Sequence, residues 1–451
     1  MIADLKPYAN YKDSGLQWLG QVPAHWRMVR NGSLFGQRSQ TGYAALPILE
    51  VSLKTGVQVR SFGQAGRKQI MSDFGKYKRA VQGDLAYNTM RMWQGALGVC
   101  PVDGLVSPAY VVARPYPGVD ARYFAALFRT GDYMAEIDSA SRGIVKDRNR
   151  LYWDQFKQMQ SPCPLPEEQA AIVRFLDWAN GRLERTIRAK RKVIALLTEQ
   201  KQAVIHRVVT RGLDPDVALK PSGIPWVGDI PLHWEVSRVK SEFYCLNTRR
   251  VPLNSVERGK MTTRAYDYYG ASGVIDKVDG YLFDDELLLI AEDGANLVLR
   301  NLPLAIIAKG KFWVNNHAHI LKPKRGNIIY LAHLLETLSF RPWISGAAQP
   351  KLTQDRLMSI SIAVAPSDEQ RAIVLDAQRQ TRPLTTAIDR IEREVALLRE
   401  YSTCLVADVV TGKLDVREAA ARLPDEIASG TSEELADDTD EAQLADEEAE
   451  A

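Results

Sequence analysis

The chain has 451 residues, 45% hydrophobic and 25% charged, with a formal net charge of +3. That length accommodates two or more domains, each with its own core, and the composition is ordinary for a globular protein. No apolar run approaches the ~18–20 residues that span a bilayer, residues 1–10 hold no secretory pattern, and Cys100, Cys163, Cys245 and Cys404 form no C-x-x-C pair. The expectation is a cytoplasmic protein of a reducing compartment, with no membrane partner and no zinc ribbon.

The near-neutral total hides an asymmetry. Residues 424–451 contain 12 acidic and no basic side chains, so the first 423 residues carry 58 Lys+Arg against 43 Asp+Glu. A body this basic suits a polyanion, nucleic acid first, although a merely solvated basic surface gives the same totals.

In chain order, the first motif is Trp18-x-Gly20-x-x-Pro23-x-His25-Trp26, whose Gly and Pro punctuation predicts a turn-rich segment. Its two Trp residues are expected to pack on a small core. Residues 27–160 read as mixed α/β. Strands are predicted at 46–51 and 110–113, and a helix beginning at Tyr123. The stretch from Gly83 to Asn88 reads as a strand running into a polar loop with Arg91, Trp93 and Gly95. The segment 141–150 is a basic loop containing Lys146, Arg148 and Arg150, beside Tyr152 and Trp153. Such cations suit phosphate and base-edge contact, or simple solvation.

Pro166-Glu167-Glu168-Gln169 opens a long helical pattern, with acidic residues placed to complement the positive end of the helix dipole. Asn180-Gly181 predicts a break or kink near 180–183, and Pro383 predicts one near 381–384. Beyond the first of these, Leu183, Ile187, Lys190, Ile194, Leu197, Lys201, Val204 and Val208 alternate spacings of four and three, the seam of a left-handed coiled coil. About 29 residues at ~1.5 Å each make a rod on the order of 40 Å.

The second half repeats the order. Trp226-x-Gly228-x-x-Pro231-x-His233-Trp234 lies 208 residues after its twin. A strand at 286–291 emerges into Glu292-Asp293-Gly294-Ala295. Strand, turn at Lys309-Gly310, and strand are predicted across 305–321, with His317 and His319 on one face of the last. Lys351 and Arg356 stand where the basic loop stood in the first half. Pro366-x-x-Glu369-Gln370 opens a second helical pattern, offset by 201 from the first. Its seam is Leu384, Ile388, Ile391, Val395, Leu398, Ser402, Leu405 and Val409, in the same phase. Residues 424–451 are expected to be disordered.

A repeat this long is a tandem duplication of a whole domain plus helix. The predicted organisation is an α/β (α+β) domain at 1–160, a helix at 161–214, a second such domain at 215–365, a second helix at 366–423 and the acidic tail. Pairing the same face of each copy about a pseudo-twofold axis perpendicular to the helices makes them an antiparallel coiled coil. No phosphate-binding G-x-x-x-x-G-K-[ST] loop, dinucleotide fingerprint, H-E-x-x-H or G-x-S-x-G motif is present. No catalytic or metal site is expected in this chain.

The doubled Trp motifs and the doubled helix openings, Pro166-x-Glu168-Gln169 and Pro366-x-x-Glu369-Gln370, resemble the specificity subunit of Type I restriction–modification enzymes, over nearly the whole chain to about residue 420. The resemblance implies a non-catalytic DNA-binding subunit. Each variable domain would be a target-recognition domain for one half of a bipartite, asymmetric double-stranded DNA sequence. The helices would be a spacer and a platform for two methyltransferase subunits. It implies restriction subunits as further partners, with S-adenosylmethionine, ATP and Mg on the partners and no cofactor on this chain. Candidate DNA contacts are Asn88, Arg91, Lys146, Arg148, Arg150, Asn315, Asn316, His317, Lys351 and Arg356. A rival reading, a coiled-coil scaffold without a DNA role, accounts for the helices and leaves the basic loops unexplained.

Overall fold

A computed structural model describes residues 5–60, 74–142, 149–225, 227–346 and 350–424. Lys146, Arg148, Trp226 and the tail from 425, expected to be disordered, lie outside the described residues. Two compact units divide the chain: Met1–Ala189 with Glu394–Ala451, and Lys190–Arg393. Among the described residues no helix is long and apolar enough to cross a membrane.

In the first unit the Trp motif forms a hairpin, Tyr11–Asp13 against Gln21–Pro23. A four-stranded antiparallel sheet follows, built from β1 (Phe35–Arg38), β2 (Leu85–Asn88), β3 (Leu97–Val99) and β4 (Tyr110–Pro115) in the order β1-β4-β2-β3. Helix α1 (Ala121–Phe128) lies on it. Asp120 starts this helix by accepting the Arg122 N–H at 2.8 Å, satisfying one of the orphan amides of the first turn. Phe124 and Phe128 turn inward and meet Phe35 edge-on or tilted, at 5.5 and 6.3 Å. Each fully buried Phe contributes roughly 1.5–3 kcal/mol. Trp26 is fully buried in the same core, and Trp18 meets Tyr133 edge-on at 5.1 Å. The Trp motif is therefore a packing device.

A long helix α2 (Pro166–Arg211) begins in this unit, and its Ile172, Phe175 and Leu176 enter the core together with Leu405, Val409 and Val410. In the same unit Ser402 donates to the Asn180 side-chain oxygen at 3.1 Å.

The second unit holds a mixed six-stranded sheet: β5 (Phe243–Cys245), β6 (Tyr266–Gly270), β7 (Gly273–Val278), β8 (Phe283–Ala291), β9 (Ala305–Val314) and β10 (Ala318–Pro323), in the order β5-β10-β8-β9-β6-β7. β6 runs parallel to β9; the other pairings are antiparallel. The two-residue period of β8 sends Leu288 and Ile290 into a core with helix α3 (Ile328–Thr337), and Leu287 and Leu289 into another core with Phe283 and Phe312. Covering both faces is why four consecutive apolar residues are needed here. The second long helix, α4 (Ser367–Val410), packs Ile373, Val374 and Ala377 into the first of these cores beside Val208 and Val209 of α2, and Arg207 donates to Gln380 at 2.7 Å.

Three expectations are corrected. Lys309-Gly310 is no hairpin turn: β9 runs through it, with Gly310 at φ +81° and the ladder to β8 kept in register. The turn falls instead at Asn315-Asn316-His317. His317 and His319 accordingly do not share a strand face, because β10 starts only at Ala318; His317 is half exposed and His319 fully buried. Neither long helix breaks. α2 continues through Asn180-Gly181 and α4 through Pro383, since proline forfeits a single intrahelical bond and side chains on both sides of it, Ala377 and Leu384 among them, stay packed or half-buried.

Candidate nucleic-acid interface

The two halves use the same local chemistry where a helix opens. His25 Nε2 lies 2.8 Å from Glu168 Oε2, and His233 Nε2 lies 2.9 Å from Glu369 Oε2. Tyr123 Oη donates to the Val410 carbonyl at 3.0 Å, and Tyr330 Oη to the Val209 carbonyl at 3.4 Å. Each repeat thus anchors its module to the helix ends within its own unit.

In the first unit the candidate residues gather at the end of β2. Asn88 is 8% exposed, and its side-chain oxygen accepts the Met90 N–H at 3.0 Å, so it shapes the turn. Arg91 follows on the surface. The Leu151 N–H donates to the Thr89 carbonyl at 2.9 Å, which brings exposed Arg150 to the same edge; Arg150 and Arg142 exchange backbone hydrogen bonds at 3.0 and 3.1 Å. Burial pushes the Tyr110 phenol up, and the positive charge of Arg91 nearby opposes that. Arg91 and Arg150 are surface cations on one edge; Asn88 is a buried support.

In the second unit a polar cluster surrounds Glu292. Its carboxylate lies 2.5 Å from Arg250 Nη1, 3.3 Å from Lys351 Nζ and 3.6 Å from His319 Nδ1. Burial raises its pKa, but the Arg250 hydrogen bond and the surrounding positive charge more than offset that and hold it below the ordinary carboxylate value. Arg250 Nη1 also donates to the carbonyls of Asn316 (3.1 Å) and Ala318 (3.0 Å), fixing the turn that carries the candidates. Asn315 is buried and its side-chain oxygen accepts the His317 N–H at 2.8 Å. Asn316 and His317 face outward, and His317 Nδ1 sits 2.8 Å from Asp293 Oδ2. Arg356 is exposed, its guanidinium donating to the Trp343 carbonyl at 2.9 Å. The cluster therefore presents Asn316, His317 and Lys351 on a rigid frame, with Arg356 on the surface of the same unit. Arg250 escaped sequence reasoning, as did Asn247, whose side-chain amide donates to His319 Nδ1 at 2.8 Å and to Gln354 Oε1 at 2.9 Å. The only trace of them in the sequence is the Arg249-Arg250 pair, which is not periodic and matches no motif.

The helix seam positions are all buried or half-buried. Leu183, Ile187, Val208, Val395, Leu405 and Val409 are buried; Ile194, Leu197, Val204, Leu384, Ile388, Ile391 and Leu398 are half-buried, as are Lys190 and Lys201. Leu196 and Leu397, off the seam, are exposed by 56 and 63%.

Residues 231–385 match the Type I restriction modification DNA specificity domain. The matched segment lies in the second half of the chain. A putative type I restriction enzyme specificity subunit of Haemophilus influenzae is 38% identical over 136 residues, which are 29% of this chain and 34% of that protein. The Type I restriction enzyme EcoprrI specificity subunit of Escherichia coli is 27% identical over 154 residues, 34% of this chain and 37% of the relative. The matched stretches thus span about a third of each relative. A solved structure described as the basis of complex assembly and conformational transition of the type I R-M system shares the fold, with a TM-score of 0.58 at 15% identity over 87% of this chain and 99% of that one. The matched segment spans β5 to β10, α3 and the Glu292 cluster, so the exposed candidates of the second unit lie inside it.

Proposed function

We propose that this chain is the DNA-sequence specificity subunit of a Type I restriction–modification complex. The specificity-domain match over residues 231–385 carries the reading, and the duplication extends it to the first half. Each variable domain, 1–160 and 215–365, reads one half of a bipartite asymmetric target. Duplex DNA has dyads perpendicular to its axis, so two copies related by a pseudo-twofold address equivalent grooves.

The helices pair as an antiparallel coiled coil, fix the unread gap and dock two methyltransferase subunits. Support comes from the 4–3 seam and its burial, and from the helix-to-helix hydrogen bonds within each unit. The chain itself does no chemistry. S-adenosylmethionine, ATP and Mg belong to methyltransferase and restriction subunits, and the complex works in the cytoplasm. The basic body supplies the salt-dependent phosphate affinity on which base reading is superposed.

Exchanging residues 27–160 for the same domain of a relative tests this directly. Methylome sequencing should show one half of the target changed and the other kept. A change in both halves, or in neither, defeats the modular reading.

A further inference from the structure

Gln169 and Gln370 occupy the same repeat position and are 1% and 2% exposed. Each makes the same pair of hydrogen bonds. Gln169 Oε1 accepts the backbone N–H of Asp120 at 2.8 Å, and its Nε2 donates to the Pro164 carbonyl at 2.9 Å. Gln370 Oε1 accepts the backbone N–H of Asn327 at 2.7 Å, and its Nε2 donates to the Ala365 carbonyl at 2.9 Å. Asp120 and Asn327 are the N-caps of α1 and α3, the helices lying on the two sheets. In each unit one buried carboxamide therefore joins the first turn of a long helix to the first turn of the helix that backs the reading surface. In the second unit the fit is tight: Gly326, at φ +81°, lies so close that a Cβ there would run into the Gln370 carboxamide.

We infer that Gln169 and Gln370 are positioning residues that make the protein selective for the length of the gap between its half-sites. The inference rests on the bipartite reading proposed above. Both half-sites must be addressed at once, and one extra base pair displaces the second by ~3.4 Å along the duplex and turns it about the axis. A module locked to its helix cannot follow that displacement; a module that rocks on its helix can. Neither Gln hydrogen-bonds to a candidate DNA contact, so base preference is untouched by the lock. The same two short hydrogen bonds recur in both copies with different capping residues, although Gln169 Nε2 also reaches the Gly118 carbonyl at 3.5 Å and the Cys163 thiol at 3.8 Å; the recurrence marks the pair as a requirement of the architecture rather than an accident of one loop.

The test uses the full chain assembled with its methyltransferase subunits. Methylation is measured on duplexes carrying the wild-type target with the gap intact, one base pair shorter and one longer. Gln370→Met removes both hydrogen bonds at nearly constant volume; Gly326→Ala keeps the Gln residue and displaces its carboxamide from its partners. The expected result is the same bases read in both half-sites, with discrimination against the wrong gap reduced about tenfold. A merely structural role would lower activity on all three duplexes alike, and unchanged gap discrimination in a folded variant overturns the proposal while the bipartite reading stands. A wild type without any bipartite target overturns both. Should the variants fail to fold, amide hydrogen exchange in the wild type decides: Asp120 and Asn327 amides protected like the helix interiors support the lock, and exchange at the rate of open loops overturns it.

Discussion

The indole N–H of Trp234 donates to Glu369 Oε2 at 3.0 Å, whereas Trp26, its counterpart in the first repeat, has no hydrogen-bond partner for its buried indole N–H among the described residues. Glu168 is occupied otherwise: Tyr8 Oη donates to its Oε1 at 2.7 Å and His25 takes Oε2. The duplicated motif has thus diverged in how it treats one carboxylate. Trp→Phe at each site removes the same volume, but only at 234 does it also remove a bond to a charged group. Trp234→Phe is expected to be more destabilising than Trp26→Phe by about 1–3 kcal/mol, read from urea unfolding with a probe in each unit.

Gly412 is a sharp steric requirement. It follows α4 at φ +81°, and a Cβ there would run into Pro23 and press on Trp26. Gly15, at φ +76°, has open space around it. Gly15→Ala should cost only the left-handed backbone term, about 1–2 kcal/mol, and Gly412→Ala clearly more. Thermal unfolding of the two variants side by side measures the difference.

His319 makes stability depend on pH. Burial lowers its pKa from the ordinary 6.5. The neutral ring is also the form its partners fit: Nε2–H donates to the Leu352 carbonyl at 2.7 Å, and Nδ1 accepts from Asn247, whose own side-chain oxygen is committed to the Ile320 N–H. Below its ordinary pKa the unfolded chain takes up a proton that the folded site refuses, so this contribution is complete above about pH 6.5 and is lost as the pH falls. His333, lowered by burial as well, acts in the same direction. Unfolding midpoints of the second unit should drop between pH 7.5 and 5, and the drop should be shallower in His319→Gln.

The surface cations should show themselves in salt dependence. Arg150→Ala and Lys351→Ala are each expected to weaken duplex binding and to reduce the slope of log K against log salt by about 1, if each contacts one phosphate. An unchanged slope removes that residue from the interface. Arg250→Ala should do more than either, because it frees the Asn316 carbonyl and leaves Glu292 without its closest cation.

Periodicity explains what could be read from the sequence. A 4–3 alternation over eight positions needs no tertiary information, and the seam from Leu183 to Val208 is buried or half-buried throughout. The same holds for β8, where an apolar run bounded by acidic residues is legible as a covered strand. The expected break at Pro383 did not occur because tertiary packing outweighs one missing hydrogen bond. The turn at Asn315 was misplaced because Gly310 reads as a turn locally, yet serves as a left-handed residue inside a continuous strand. The Glu292 cluster was legible only in part. Arg250, Glu292, His319 and Lys351 are separated by tens of residues, and the ladders of β10 with β5 and β8, together with the closing Asp293–Lys351 bridge, bring them together.

The close grip of Gln169 and Gln370 falls on main-chain atoms, two amides and two carbonyls at 2.7–2.9 Å; the longer contacts of Gln169 go to the Gly118 carbonyl and the Cys163 thiol. Such a grip is blind to the side chains it holds, and the two copies already differ there, Asp120 against Asn327. Lineages can therefore exchange or rewrite whole modules without any compensating change in the helices, provided the backbone still presents an N–H at that point. The joint is a standard fitting, and the freedom to acquire new addresses on DNA is inherited with it.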